Sequence, residues 1–567
     1  MKLAQVKIAF LMMALASVLA VSLACSSAEP TATPAAAPTP TQKAAPTTAP
    51  AAVPTATPTR IVQTAAPAVI QARHGPVDGA QRGGNVRYGG LTDVKSMDPI
   101  FIGNNPERPI HHVLYNQIVK FEPDFSLSPE LAKSWDISAD GKSVTFKLQE
   151  GVKFQDGTDF NADAVKWNFD RLLNPDYESV RRAVWAPLID SISVVDKNTV
   201  TFKLKAPSRP FISFFGDALN GAGIVSPTAV QKYGGKRGGD YGRNPVGTGA
   251  FKLKEWSLDD KLIMVPFENY WEKGLPYLDQ LTILFVPDRT VQVAMLRTGE
   301  LDIQDALTAN EVTILQRNPN LKIADYASCR IVGLRFSTDR PPWDNKALRQ
   351  ALAYDMDQKA LIDTLAGGKG RQGHAPEGDC FWWSNATLSV YDYDLTKAKA
   401  KMAEAGYPNG IEVDFWASAT TDDMQASETY QAMFARVGIR TKITTVPPQD
   451  FFPNVRARKI HMGTMNYVPR PDPDGRLTTL FHSQGQSQLT GYKNADLDKL
   501  LEKAAATYDR SESKKLYDQI QQILVAEVPG IIVSYFPTEF TAMSLKVQNY
   551  VDIPDRMLRL RYLWMKQ

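Results

Sequence analysis

Few side chains in this chain stand at spacings that could do chemistry. Asp472 and Asp474, in Asp472-Pro473-Asp474-Gly475, set two carboxylates one residue apart, but the bidentate acid that a calcium loop needs further along is missing. A turn is the expected reading. His111 and His112 are adjacent and could touch a metal, yet six histidines scattered along the chain do not make a zinc set, and a solvent-facing pair is expected. "GGKRGGDYG", from Gly234, is glycine-rich but lacks the lysine followed by Ser or Thr of a phosphate loop, so a flexible surface loop is expected. G-x-S-x-G, H-E-x-x-H, Walker A and paired C-x-x-C patterns are absent. These observations assign no catalytic residue, metal or cofactor.

Three cysteines occur. Lys2 and Lys7 precede an apolar stretch from Ile8 to Ala24, the order of a secretory signal. It ends in Ser22-Leu23-Ala24-Cys25, where a small residue before a thiol suits lipid attachment and cleavage. Residues 1–24 are therefore expected as a signal peptide and Cys25 as the lipidated first residue, with cleavage at small residues nearby as the alternative. From there to residue 82 the chain is rich in Ala, Pro and Thr and poor in aromatics. Such a segment cannot bury enough apolar surface to fold; it is a semi-rigid spacer with a reach of about 3 Å per residue, or a glycosylated stalk. Cys329 and Cys380 remain. They either pair, closing a loop worth on the order of 4 kcal/mol, or stay as buried thiols.

The elements that must position these residues follow from periodicity. The body of about 487 residues is too long for a single core, so two lobes are expected. Lys+Arg 64 against Asp+Glu 61 gives no electrostatic case for nucleic acid. Alternating runs flank Asp140-Gly141, a hairpin signal, and a second turn follows at Asp156-Gly157. Asn161 caps a helix carrying Ala164, Val165, Trp167, Phe169 and Leu172 at helical spacing. Strands are expected at the opening run from Gly84, over Thr199 to Lys205 and over Phe251 to Trp256. A helix from Thr290 breaks at Gly299, and another spans Asn345 to Leu365. Two more, over Asp496 to Glu527, part around Asp509, and "IIVSYF" follows as a strand. Helices and strands alternate throughout, an α/β pattern.

Several of these segments, in order, resemble the extracellular solute-binding protein family 5, the peptide- and nickel-binding proteins of ABC importers. They are "GGNVRYGGLTDVKSMDP", "LAKSWDISADGKSVTFKLQEGVKFQDGTDFNADAV", "NPVGTGAFKLKEW", "NYWEKGLPYLDQL", "AMLRTGELDI" and "DNKALRQALAYDMDQKALI", then the closing helix pair. The resemblance implies a two-lobe, periplasmic-binding-protein-like α/β fold of type II. Lobe I would be 83–336 plus 537–567 and lobe II 337–536, with crossings near "GLRFSTD" and "VSYFPTE" and a hinged cleft between them. It further implies a monomer that captures a peptide or other small solute and hands it to permease subunits, outside the cytoplasm and lipid-anchored to the bacterial cell membrane.

The resemblance also points to ligand contacts. In "NYVPRPDPDGRLTTLF", peptide-binding members carry an aspartate for the peptide ammonium three residues before the acid of the Asp-Pro turn. Here that position is Pro469, which has no charge to offer. Arg470 beside it could instead pair with a carboxylate or phosphate, or stand in solvent. Tyr467 would line the pocket or belong to the core. Trp382 and Trp383, in "GDCFWWSN", lie in a segment that passes near the cleft in similar proteins, with core burial as the competitor. Phe101 and Trp416 are aromatic candidates of the same kind. The alternatives to a receptor are an exported lipoprotein hydrolase of oligosaccharides or peptides, using some of the many acids, and a surface signalling or adhesion protein.

Overall fold

The computed structural model describes residues 75–567 other than 103–106, 218–219, 377, 379, 386–387, 468–469, 471, 486–488 and 552–556. The signal segment, Cys25, most of the spacer and Pro469 lie outside the described residues. Residues expected in the spacer as far as 82 already touch the body: the Val77 N–H donates to the Tyr277 hydroxyl at 2.9 Å, and Arg82 Nη2 to the Gly274 carbonyl at 3.0 Å.

Alternating Val, Ile, Phe and Tyr build a twelve-stranded mixed sheet. At its centre runs Ile531–Ser544, expected as only the six residues "IIVSYF" and here continuing through Pro537. Its first part pairs antiparallel with Ile331–Phe336, and its last part with Leu321–Ala327. On one side the sheet extends through Met462–Tyr467, Ile411–Ser418 and Ile439–Val446; on the other through Ile303–Gln304, Asn85–Gly90, Gln280–Phe285, Lys261–Pro266 and Phe251–Ser257. A separate four-stranded antiparallel sheet has the order Ala132–Ile137, Ser143–Leu148, Thr199–Leu204, Ile189–Asp196. The expected hairpin opens it: Trp135 faces Phe146, and Gly141 takes the turn at φ 68°, a conformation that costs glycine nothing.

Helix signals were equally local. The Asn161 side chain accepts the Ala164 N–H at 2.9 Å and starts Ala162–Leu173. Gly299, at φ 81°, ends Arg289–Thr298. Asp509 caps Arg510–Glu527, after Ala495–Ala506. The single helix expected from Asn345 to Leu365 is instead two, Lys346–Asp355 and Gln358–Leu365, because the Asp357 side chain accepts the Ala360 N–H and begins a second helix.

The apolar residues gather into separate cores. Two lie in the first stretch of chain: one holds Val86, Met264, Leu281 and, from the C-terminal return, Met543 and Tyr562. The other is aromatic, with Phe146, Phe169, Trp185, Phe202 and Phe215 edge to face. Two further cores form from the second stretch, around Leu352, Phe415, Tyr430 and Phe434 and around Trp383, Leu480, Tyr517 and Ile520. Leu334 and Phe336 already belong to the third core, so the packing changes hands a few residues before 336. Near the two backbone passages, Arg330 Nε is bound to the Glu539 carboxylate, and the Ser328 N–H donates to the Pro537 carbonyl at 3.3 Å.

Candidate functional site

Side chains from the first and second stretches of chain meet at two polar groups. The first centres on Arg209, in the turn between strand Thr199–Leu204 and helix Phe211–Phe214. Its Nη1 donates to Asp472 Oδ2 at 3.2 Å, and its Nη2 donates to Asp474 Oδ2 at 2.8 Å and to the Tyr517 hydroxyl at 2.9 Å. The Tyr517 hydroxyl donates in turn to Asp474 Oδ2 at 3.0 Å. Asp472 Oδ1 also accepts the Asp474 N–H, so the expected turn forms, and the acids it displays are the seat of an ion pair. Backbone contact reinforces the meeting: the Arg209 N–H donates to the Ala505 carbonyl at 2.9 Å, and the Tyr508 hydroxyl to the Gly141 carbonyl at 3.1 Å.

Charge explains this group. Burial alone would lower the Arg209 pKa, but Asp472, Tyr517 and Asp474 outweigh it and hold the guanidinium above its ordinary value. Burial outweighs the pull of Arg209 and, with repulsion from Asp472, holds the Asp474 carboxyl up at about 6. Two carboxylates share a single guanidinium, and the deeper one carries the strain.

The second group is richer in cations. Arg470 Nη1 donates to Asn220 Oδ1 at 2.8 Å. The guanidinium of Arg476 lies over the Tyr467 ring at 4.2 Å, a cation–π contact, while the Tyr467 hydroxyl donates to the Pro376 carbonyl. Arg181 donates from Nε and Nη2 to the Ile102 carbonyl. Burial, joined by the neighbouring charge of Arg470, brings Arg181 and Arg476 down to about 10. Arg108 pairs with Asp217 at 3.5 Å.

The expected residues are thus divided. Arg470 and Tyr467 fall in the second group. Trp382 borders the first: it is half-buried, edge-on to Tyr517 at 6.2 Å, with the guanidinia of Arg209 and Arg510 over its ring at 5.7 and 4.9 Å. Trp383 is fully buried and stacked on Phe381 at 5.2 Å, a core position. Trp416 packs against the Phe451, Val455 and Ile460 cluster. Phe101 ends the turn Pro99–Phe101, whose cap Asp98 is bound to buried Arg171, and Arg237 lies over its ring at 5.2 Å. Cys329 and Cys380 are joined as a disulfide with Cα atoms 5.6 Å apart, fixing the segment that leads into Trp382.

Two expectations are corrected. His111 and His112 do not face solvent: both are buried in helix Arg108–Leu114, burial lowers both rings, His111 to about 3, and neither Nε2 has a hydrogen-bond partner among the described residues. The glycine-rich run is also partly docked, since the Gly235 carbonyl accepts from Arg171 Nη2 at 2.7 Å and Tyr241 is fully buried. No group of three or more His, Cys, Asp or Glu side chains suited to a metal occurs among the described residues. Arg209 and Arg181 were missed. Nothing local distinguishes them from solvated arginines, and their partners lie hundreds of residues away or on an unmarked loop.

A mixed α/β body with separate cores joined by two backbone passages, and polar groups where those cores meet, is the architecture of a two-lobe solute-binding protein. The comparisons make the class specific. A family model described as bacterial extracellular solute-binding proteins, family 5, middle, matches residues 126–488, and the chain belongs to that family. It is similar to the heme-binding protein A of Haemophilus influenzae, with 32% identity over 78% of this chain and 85% of that one. It is also similar to the glutathione-binding protein GsiB of Pectobacterium atrosepticum, at 30% over 82% and 90%. Among solved structures, the ABC transporter-associated periplasmic binding protein DppA of Helicobacter pylori, in complex with the peptide STSA, superposes with a TM-score of 0.76, 26% identity, and coverage of 86% of this chain and 99% of that one.

Proposed function

We propose that this protein is the extracytoplasmic substrate-binding lipoprotein of an ABC importer. It holds a peptide or similar small solute, unaltered, between lobe I (83–336 plus 537–567) and lobe II (337–536), and delivers it to the membrane permease subunits. Lipid on Cys25 and the Ala/Pro/Thr spacer keep a monomeric body near its permease and raise its local concentration there. The observation that carries the reading is Arg209, rooted beside the first aromatic core and bound to Asp472 and Asp474 of the second stretch. Side-chain bonds of this kind exchange readily with water, whereas the two backbone passages persist, and that combination suits a hinge.

The relatives' ligands define the test panel: short peptides, glutathione and heme. A bound solute should raise the melting temperature with the logarithm of its excess over Kd and shrink the radius measured by X-ray scattering. Native mass spectrometry of freshly purified protein should show retained cargo at 1:1. Neither closure nor retained cargo across the panel, or turnover of any member, would sink the receptor reading. Loss of palmitate labelling in Cys25→Ser tests the anchor.

A further inference from the structure

Strands Val119–Phe121 and Leu127–Pro129 pair antiparallel as a small hairpin, with Phe121 opposite Leu127. Its tip is a closed turn. The Glu122 N–H donates to the Ser126 carbonyl and the Phe125 N–H to the Glu122 carbonyl, both at 2.9 Å. The Asp124 carboxylate accepts the Ser126 N–H at 3.0 Å and its hydroxyl at 2.6 Å. This turn places Phe125 at φ 61°, a left-handed conformation that glycine or asparagine adopts readily and that strains a bulky residue. Backbone bonds and Asp124 make the turn, and the phenyl group adds nothing to it.

The ring is used elsewhere. Phe125 belongs to neither large core of the first stretch and packs instead on the core of the second that holds Phe381, Trp383, Leu480 and Tyr517. Its centroid is 5.1 Å from that of Phe381, with the planes tilted by 41°, a geometry that aromatic pairs favour. Phe381 is buried, stacked on Trp383 and joined in sequence to Cys380 of the disulfide, so the surface that Phe125 meets is firmly held. Asp124 reaches the same way. Burial would raise its carboxyl, but the Ser126 hydroxyl and N–H, with the charge of Arg510 from the second stretch, lower it on balance. Arg510 in turn covers the Trp382 ring. Neighbouring residues at one hairpin tip therefore address the second stretch, one through its ring and one through its charge.

Resting on the receptor reading above, we propose that the turn at 122–126 is a latch: Phe125 docks on Phe381 when the lobes close, and the contact sets how long they stay closed. The bonds of Arg209 exchange with water when the lobes part, at small net cost. A phenyl ring gains no such replacement, and its exposed apolar surface is unfavourable in the open form. The strained backbone of Phe125 is present in both forms, so the ring contact biases closure without drawing on the stability of the hairpin.

The test compares Phe125→Asn, Phe125→Tyr and wild type. Asparagine suits the left-handed turn but lacks the ring, so the urea midpoint of Phe125→Asn should hold or rise. Its closed form should nevertheless lose about fivefold against the open one. Where the free protein is mainly closed, that loss is read as a larger radius by X-ray scattering. Where it is mainly open, the loss is read by stopped flow as faster release of whichever probe binds among tri-alanine, glutathione and heme. Phe125→Tyr, which keeps the ring, should restore both readings, and adding Phe381→Leu to Phe125→Asn should change them little further. A Phe125→Asn protein with wild-type radius and release rate overturns the latch and leaves the receptor reading intact. So does a lower urea midpoint with opening unaltered, which would make Phe125 a structural residue of its own hairpin. A wild-type protein that neither is closed when free nor closes on any probe overturns both.

Discussion

Arg209→Gln is the most informative single change. It removes donors at 3.2, 2.8 and 2.9 Å from Asp472, Asp474 and Tyr517 while keeping a shorter, uncharged polar side chain. Hydrogen bonds to charged groups contribute about 1.5–3 kcal/mol each, but two effects discount the sum. Asp474, already raised to about 6, rises further without Arg209 and takes up a proton, avoiding a bare buried charge. When the lobes part, moreover, every member of the group regains water. A net contribution to closure of about 2 kcal/mol remains, roughly a 30-fold shift between closed and open forms. If the unliganded protein is mainly open, the whole factor appears in the apparent Kd of any closing solute; if mainly closed, it appears as a larger scattering radius of the free protein. X-ray scattering on unliganded wild type and variant, with urea unfolding of Arg209→Gln, Asp474→Asn and the double variant, measures both. The single effects should fail to add, with a coupling above 1 kcal/mol. Additive effects within about 0.5 kcal/mol, or a loss of stability with neither the free radius nor the affinity altered, would refute the assignment of Arg209 to closure.

Asp355 is fully buried and its carboxyl is pushed up to about 7 by burial, with Arg436 offsetting part of the effect. Between the unfolded value near 4 and that folded value, the native state keeps a proton the unfolded chain has lost, so this group's contribution to stability falls as pH rises through the window. Asp355→Asn should flatten the urea midpoint between pH 5 and pH 8 and gain up to about 4 kcal/mol at pH 8; parallel wild-type and variant profiles would count against it. Cys329→Ser with Cys380→Ser opens a loop of sequence separation 51 and should lower stability by about 4 kcal/mol on the loop-entropy estimate, read as a urea midpoint that dithiothreitol no longer moves. A Cβ at Gly333 would stand 2.1 Å from the Ile532 carbonyl oxygen, so Gly333→Ala should cost roughly 3 kcal/mol or more, seen as a lower melting temperature, and a neutral result would refute the tight approach of the two passages.

Local chemistry made much of the fold legible. Asn161, Gly141, Gly299 and Asp509 each act within a few residues of themselves, so their signals survive in a linear reading. Where a local signal has two uses, the reading faltered. Asp357 looked like a polar position on one long helix and is the cap of a second. Pro537 looked like the end of "IIVSYF", yet the strand runs on, because its Gly370 partner does not need the missing N–H there. The site was less legible still. Arg470, Tyr467 and Trp382 could be singled out only because their segments resemble those of a family. Arg209 and Arg181 carry no pattern of their own, since their contacts come from Asp472, Asp474 and Ile102, residues that reach them only when the chain has folded.

On the receptor reading, the two kinds of linkage between the cores let one molecule be firm and still open. Along Ile531–Ser544, backbone pairing passes from Ile331–Phe336, with a register shift at Val332–Gly333, to Leu321–Ala327, while Phe536 and Pro537 between them pair with Arg371 and Gly370, and Arg330 with Glu539 braces the passages from the side. Parting the lobes at the far edge need not disturb any of those bonds. Among the contacts it would break are Arg209 with its two acids and Tyr517, Arg470 with Asn220, and Tyr508 with Gly141, polar bonds able to exchange with water at small net cost, together with the ring contact of Phe125 and Phe381. On the receptor reading, a solute that binds within the gap adds its own bonds to the closed form alone, and by linkage it is held by the closure it favours.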